Sequence, residues 1–470
     1  MSSKLLYLLL ALFALPLTAQ ERYEISVEID GYEEEFLSLA NNLLDKQYLV
    51  DTAYRTDEGK YVFESDTNAL PKGIYLVVLA PDNNYFQMLV GDDDDQVFSL
   101  KTSLQKLNEV EVTSSEENRL FYDYLSFLGA QQQASQPLRQ QLQDSTLSAA
   151  KREELMTKMD GYSQTVEKHQ DGVIKEHPTS FVTAIIKTNR PFPPPPMDDI
   201  TDEAERNTAQ LRWLQDHYLD PINLKDDRLL RTPFLFNRLN YFVDKLFYQY
   251  PDTVSLAIDR VLERMDPTSE MFKYYVVHFT NKAASSKIVG MDAVYVHMVD
   301  KYYATGLASW STPEQLKTMM ENAEKARPLL IGKQAPNMKM KRRDGTPVEL
   351  YDLKANYTIL YFWQFACPSC KKSTPVMKEF YEKWKDRGVE IFSICTKQGE
   401  IDKCWEYIDD NAIGDWLHAT DRYLRFYNDY DIRSTPTIFV LDENKEIVSK
   451  RIGAEQLDGL LEALEKEKSR

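Results

Sequence analysis

The run Phe362-Trp363-Gln364-Phe365-Ala366-Cys367-Pro368-Ser369-Cys370-Lys371-Lys372 decides how the last third of this 470-residue chain is read. Tyr357 to Phe365 is nearly continuous apolar sequence, broken only by Thr358 and Gln364, and predicts a strand buried on both faces. Two cysteines follow at once at Cys-x-x-Cys spacing, and behind them Val376, Phe380 and Trp384 recur at helical spacing. Thiols so placed on a first helical turn are close enough to form a disulfide. The first of them meets the positive end of the helix dipole, which favours its thiolate. The pattern points to dithiol–disulfide exchange. Half of a zinc site would need a second Cys or His pair at comparable spacing, whereas Cys395 and Cys404 lie nine residues apart and the histidines are scattered, so no metal is expected.

Outward from this motif the chain predicts a compact α/β order. Met338 to Lys341 and Pro347 to Leu350 flank the hairpin signal Asp344-Gly345. Val389 to Cys395 reads as a second buried strand and Ile401 to Asn411 as a helix. Thr437 to Leu441 and Glu446 to Lys450 form strands around a turn at Asp442 to Lys445. Glu455 to Lys468 closes the chain as an amphipathic helix with Leu457, Leu460, Leu461 and Leu464 on one face.

Further residues sharpen the reading. The segment opens on Ile331-Gly332-Lys333-Gln334-Ala335-Pro336, carries Pro375 five residues after Cys370, and later contains Tyr430-Asp431-Ile432-Arg433-Ser434-Thr435-Pro436-Thr437. With these features residues 331–470 resemble the thioredoxin superfamily, and within it the periplasmic thioredoxin-like thiol–disulfide reductases grouped with peroxiredoxin-type, AhpC/TSA-like domains. The resemblance implies a thioredoxin fold and a cofactor-free exchange reaction. In it Cys367 attacks and Cys370 resolves, leaving Cys367–Cys370 oxidised. It also implies a cis Thr435–Pro436 bond that presents the Thr435 backbone to substrate. Trp363 and Phe365 are expected at an apolar rim, with plain packing as the alternative. For Cys395, at the end of the second strand, and Cys404, early in the next helix, a disulfide and two separate thiols are both open.

The departures from the family pattern limit the assignment. Tyr361 stands six residues before Cys367, where thioredoxins keep a buried aspartate, and Ala366 replaces the usual tryptophan. Ser373 stands where reductases of cytochrome c maturation often carry a glutamate, so that specialisation does not follow. Leu360 and Gln364 occupy the places of a peroxiredoxin's proline and hydroxyl, which argues against a peroxidase.

Residues 1–19 have the pattern of a secretory signal peptide: Lys4, an apolar run from Leu5 to Leu17, then Thr18-Ala19. Export to the periplasm of a Gram-negative envelope is the corresponding expectation, with no stable membrane insertion once the signal is removed. A formal charge of −18 repels nucleic acid and argues against it as a partner. Four cysteines are too few for a disulfide-stapled scaffold, so the core must carry stability.

Residues 20–114 alternate in short runs between turns and predict an N-terminal antiparallel β-sandwich. Its strands are Tyr23 to Ile29, Gln47 to Thr56, Lys60 to Glu64, Gly73 to Leu79, Phe86 to Val90 and Gln96 to Leu100. This part resembles a domain of unknown function found ahead of thioredoxin modules in Gram-negative envelope proteins. Asp92 to Asp95 reads as a solvated hairpin tip, since the glycine and glutamate of a calcium loop are missing.

Residues 115–330 predict a central all-α layer, with a glutamine-rich stretch at Gln131 to Gln143 and stiff polyproline at Pro191 to Pro196. The expected helices after it are Ala204 to Leu219, Leu229 to Tyr250, Val254 to Met265, Ser269 to Ala283, Gly290 to Thr305 and Pro313 to Lys325. Its many aromatics read as core, and His278 and His297 as packed histidines. The resemblance and the leader-like start together imply a multidomain exported thiol–disulfide oxidoreductase acting on disulfide-bearing client proteins, with a membrane electron donor expected. The rival is a non-enzymatic scaffold using its thioredoxin-like domain as an adaptor. The segment from Ile331 on is expected to reduce a generic disulfide about as fast as the full chain.

Overall fold

The structure, a computed structural model, describes residues 22–91 and 96–469. The expected signal peptide and the aspartate run Asp92 to Asp95 lie outside the described residues. The chain divides into two compact units, Met1–Tyr241 and Phe242–Arg470.

The first unit begins with eight strands: β1 Tyr23–Asp30, β2 Phe36–Leu43, β3 Lys46–Tyr54, β4 Tyr61–Ser65, β5 Gly73–Leu79, β6 Asn84–Val90, β7 Val97–Ser103 and β8 Glu111–Thr113. They form two four-stranded sheets, ordered β4-β1-β7-β8 and β3-β2-β5-β6. Alternate residues such as Ile25, Val27, Leu37, Leu39, Val77 and Met88 point inward into one core, which is what period-two patterning provides. One pairing departs from the expected antiparallel sandwich: β1 and β7 run parallel. Parallel neighbours need a long connection, and the intervening strands supply it. Strand β2 escapes sequence reading because Asn41 and Asn42 are buried in it and interrupt its apolar alternation.

Helices then fill the chain as far as Ala326: α1 Glu116–Leu142, α2 Ala149–Glu176, α3 Phe181–Asn189, α4 Glu203–His217, α5 Leu235–Lys245, α6 Pro251–Leu262, α7 Glu270–Ser285, α8 Asp292–Met298 and α9 Pro313–Ala326. Ser115, Ser148 and Ser180 each cap a helix by accepting from a backbone amide, so the starts are written in the sequence. The glutamine-rich stretch is the second half of α1. The single helix expected over Leu229 to Tyr250 is instead a 3₁₀ turn, Asp227–Arg231, followed by α5. Pro233 forces extended backbone at Thr232, which ends the first helical turn. The helices do not form one body: α1–α4 belong to the first unit and α6–α9 to the second.

In the second unit a hairpin of β9 Lys339–Lys341 and β10 Pro347–Glu349 turns on Gly345, whose φ of 84° suits a residue without Cβ. After it come β11 Tyr357–Trp363, α10 Pro368–Trp384, β12 Val389–Cys395, α11 Ile401–Asp410, β13 Leu417–Ala419, α12 Phe426–Asp429, β14 Thr437–Leu441, β15 Ile447–Lys450 and α13 Leu457–Lys468. The sheet order is β13-β12-β11-β14-β15. β11 and β12 run parallel, and β14 pairs antiparallel to β11 on its other side. The central strand is buried on both faces, as its unbroken apolar run demands. Ile359, Tyr361 and Trp363 face the α10 side with Cys370, Met377 and Leu461. Leu360 and Phe362 face the opposite side with Leu329, Met338, Phe426 and Tyr430. This is a thioredoxin fold. Among the described residues no helix is long and apolar enough to cross a membrane.

Candidate active site

Strand β11 leaves the sheet at Trp363 and the chain turns directly into α10, so the Cys-x-x-Cys pair sits where a buried strand meets a helix N-terminus. Cys367 is the N-cap residue of α10; its Sγ accepts from the Cys370 amide at 3.3 Å and donates to the Thr435 carbonyl at 3.2 Å. Pro368 follows at the first helical position, where a missing N–H costs nothing. The Thr435–Pro436 bond is cis, and its loop reaches the cysteines. Gln364 ties that loop to the strand end, donating from Nε2 to Thr435 Oγ1 at 2.9 Å.

The two thiols differ in environment. Cys367 is half-buried and Cys370 fully buried. Burial raises Cys367, but the thiol and amide of Cys370, together with Thr435 and the Ser369 amide, outweigh it and hold the thiol below its ordinary value. Burial pushes Cys370 up to about 12, the Gln364 amide offsetting part of the rise. The pair therefore presents one accessible thiol biased towards its anion and one sheltered thiol biased against it.

Phe365 is half-buried beside the pair, its ring 5.7 Å from Lys403 Nζ. Trp363 is not at the rim where the sequence put it. It is 1% exposed, and its Nε1 donates to Ser393 Oγ at 2.7 Å, so it is core. The cover on that face explains the difference: Trp363 ends β11 on the side packed by α10 and α11, among Tyr361, Cys370 and Tyr407. Cys395 and Cys404 are joined by a disulfide, with Cα atoms 6.3 Å apart. It fastens the end of β12 to α11, and both cysteines are buried.

Several residues of this region went unnoticed in the sequence. Tyr407 packs on Trp363 and donates to Thr374 Oγ1 at 3.2 Å, and Thr374 in turn donates to the Cys370 carbonyl at 3.0 Å. Tyr407 lies three residues after Cys404, and that helical spacing is its only sequence signal. His418 on the short strand β13 bonds Ser393 Oγ at 3.0 Å and the Ile413 carbonyl at 2.7 Å. Burial lowers His418 to about 4. In the unfolded chain it would titrate near 6.5, so its contribution is complete above about pH 6.5 and is lost as pH falls towards 4. The loss is on the order of 3 kcal/mol. Thermal melts from pH 7 to pH 4 should fall more steeply for the parent chain than for His418→Gln; parallel curves would remove this role.

Among the described residues there is no cluster of His, Cys, Asp or Glu that could hold a metal ion. The chemistry at hand is that of the two sulfurs.

Residues 331–450 match the AhpC/TSA family. Over 137 residues the chain is 34% identical to the thiol–disulfide oxidoreductase ResA of Bacillus cereus (strain ZK / E33L), which spans 28% of this chain and 78% of that relative. The chain belongs to this family of thioredoxin-like thiol–disulfide oxidoreductases. Residues 149–326 of the oxidoreductase, in the helical region, match a domain of unknown function, DUF5106. A solved domain of a possible thiol–disulfide isomerase from Cytophaga hutchinsonii is 38% identical, with 30% of this chain and 99% of that chain covered and a TM-score of 0.29. A thioredoxin-like protein from Bacteroides caccae is 18% identical, with 59% and 99% covered and a TM-score of 0.45.

Proposed function

We propose that this oxidoreductase is an exported reductase that exchanges its Cys367-Pro368-Ser369-Cys370 dithiol with disulfides of client proteins. The observation that carries the reading is the division between the two thiols. Cys367 is reachable and held below its ordinary pKa, as an attacking thiol must be, and Cys370 is sheltered behind it. Thr435, Pro436 and Phe365 border the attacking sulfur and supply the surface on which a client segment rests.

The reducing direction is supported by what acts on Cys367. Strong oxidants of this chemistry are those whose reduced form is strongly stabilised. The groups acting most strongly on Cys367 are neutral thiol, hydroxyl and amide groups. Neutral donors stabilise a thiolate less than a cation would, which supports the reducing direction. Residence in the periplasm is supported by the leader-like N-terminus and by the buried Cys395–Cys404 disulfide, a bond that persists in oxidising compartments. A dithiol spent on clients there needs a membrane electron donor to restore it.

Equilibration of the full chain with a glutathione buffer tests the direction. The Cys367–Cys370 pair is expected to poise at or below the glutathione range of about −220 to −260 mV. A potential near about −120 mV, that of a strong oxidant, reverses the reading.

A further inference from the structure

One buried hydroxyl beside the reacting sulfurs has no use in the exchange as described. Tyr361 lies on β11 on the sheet face that α10 covers, and it shares one core cluster with Cys370, Trp363 and Trp416. Both Tyr361 and Cys370 are fully buried. The Tyr361 ring stacks on Trp363 at 6.5 Å and meets Trp416 edge-on at 6.1 Å, yet its hydroxyl has no hydrogen-bond partner. The adjoining hydroxyl, Thr374, is close enough to pull the Tyr361 phenol downward, but it donates to the Cys370 carbonyl and accepts from Tyr407, and no hydrogen bond of ordinary geometry joins it to Tyr361. A buried donor without a partner is costly, and phenylalanine would fill the same space without that cost. A hydroxyl so placed is free to serve a partner that is present only part of the time.

The exchange cycle supplies one. The Cys367 thiolate attacks a client disulfide; the client S–S bond breaks, a Cys367–client bond forms, and the departing thiolate takes a proton from solvent. Cys370 then gives its proton to solvent and attacks Cys367 Sγ. The Cys367–client bond breaks, the Cys367–Cys370 bond forms, and the second client thiolate is protonated. Two electrons pass from the dithiol to the client. Of the anions in this sequence, that of Cys370 forms inside the core.

We propose that the Tyr361 hydroxyl donates a hydrogen bond to the Cys370 thiolate while the mixed disulfide is resolved. The proposal rests on the reading of Cys370 as the resolving thiol. Tyr361 remains a donor throughout. Burial, and then the charge of Cys370, hold its phenol well above the ordinary value, so it cannot take the thiol's proton. The groups that act on the two are Cys367 as a thiol or mixed disulfide, the Gln364 amide, Thr435 from the Pro436 loop, Thr374 on α10 and Tyr407 from α11, and Lys403 brings a cation over the Phe365 ring. Above neutral pH the resolution rate therefore reports the ionisation of Cys370.

The test uses the full chain, a peptide disulfide as probe, and rapid mixing to follow formation and decay of the mixed disulfide from pH 6 to pH 10. In Tyr361→Phe the decay is expected to slow roughly tenfold at neutral pH, and its profile to move about one unit to higher pH. The first attack by Cys367, which precedes the buried anion, keeps its rate. The melting temperature is unchanged or raised, since an orphan hydroxyl has been removed from the core. Decay kinetics that coincide with the parent's would overturn the proposal, as would a lowered melting temperature with both steps slowed in proportion. Cys370→Ala serves as the reference. If its mixed disulfide persists while Tyr361→Phe behaves as the parent, the proposal alone fails. If that adduct decays at the parent's rate, the role of Cys370 fails and the proposal with it.

Discussion

Cys367→Ser is expected to lower insulin-type disulfide reduction by roughly a thousandfold or more, to the uncatalysed background, while Cys370→Ala accumulates mixed disulfides with clients. The asymmetry comes from geometry. Cys367 caps α10, is half exposed, and has donors around it that favour its anion. A serine hydroxyl there cannot reach the anionic state, so the attack does not begin. Cys370 is buried and pushed up to about 12, so it does not compete for the client. Without it the first adduct forms and then persists. Alkylation at increasing pH should separate the two thiols in the parent chain. Cys367 should react fully at a lower pH than an ordinary thiol, and Cys370 should stay protected across the neutral range. Adducts trapped through Cys370 in a Cys367→Ser background would invert the assignment.

How much of this was legible beforehand depends on where the information resides. The strand–Cys-x-x-Cys–helix junction is local, and each piece of it can be read from a few adjacent residues. The buried run of β11 and the helical spacing after Cys370 place the motif on the correct elements. The Thr435–Pro436 loop meets the cysteines across 68 residues of chain, and only the family resemblance brought it to them. Trp363 was misplaced because proximity in sequence to Cys367 suggested proximity to substrate. Helices α10 and α11 cover the face of β11 on which that side chain lies. Tyr407, Thr374, Ser393 and His418 act through contacts between elements, and no local pattern marks them. Strand β13 is three residues long and carries a polar His418, too short and too mixed for periodicity to detect. The helical region was legible as helices, since serine caps and apolar spacing are local. Its division between two units depends on which faces meet.

That division changes where the catalytic part can be cut, and Asp292 is the residue that tests it. The sequence placed the boundary at Ile331, but Leu329 lies in the core of the thioredoxin sheet, and Gly332 donates to the Ile447 carbonyl. More telling is Lys450 at the end of β15, which is 4% exposed. Its ammonium is held by Asp292 at the start of α8 and by the Leu329 carbonyl at 2.5 Å. Burial pulls the Lys450 pKa down and Asp292 opposes the shift, so the cation depends on that carboxylate. Removing one partner of a buried pair leaves an uncompensated charge, which costs several kcal/mol when both are buried. Asp292 is partly exposed, so Asp292→Ala should cost less, about 2–3 kcal/mol, and lower the melting temperature by roughly 5–10 °C. Adding Lys450→Met should restore most of that loss, because the charge left behind is removed with the lysine. A fragment beginning at Ile331 lacks Asp292 and Leu329 together and should melt well below one beginning at Phe242. An Asp292→Ala variant that melts with the parent, or a double variant no better than the single, would show that Lys450 does not depend on α8, and the cut at Ile331 would stand.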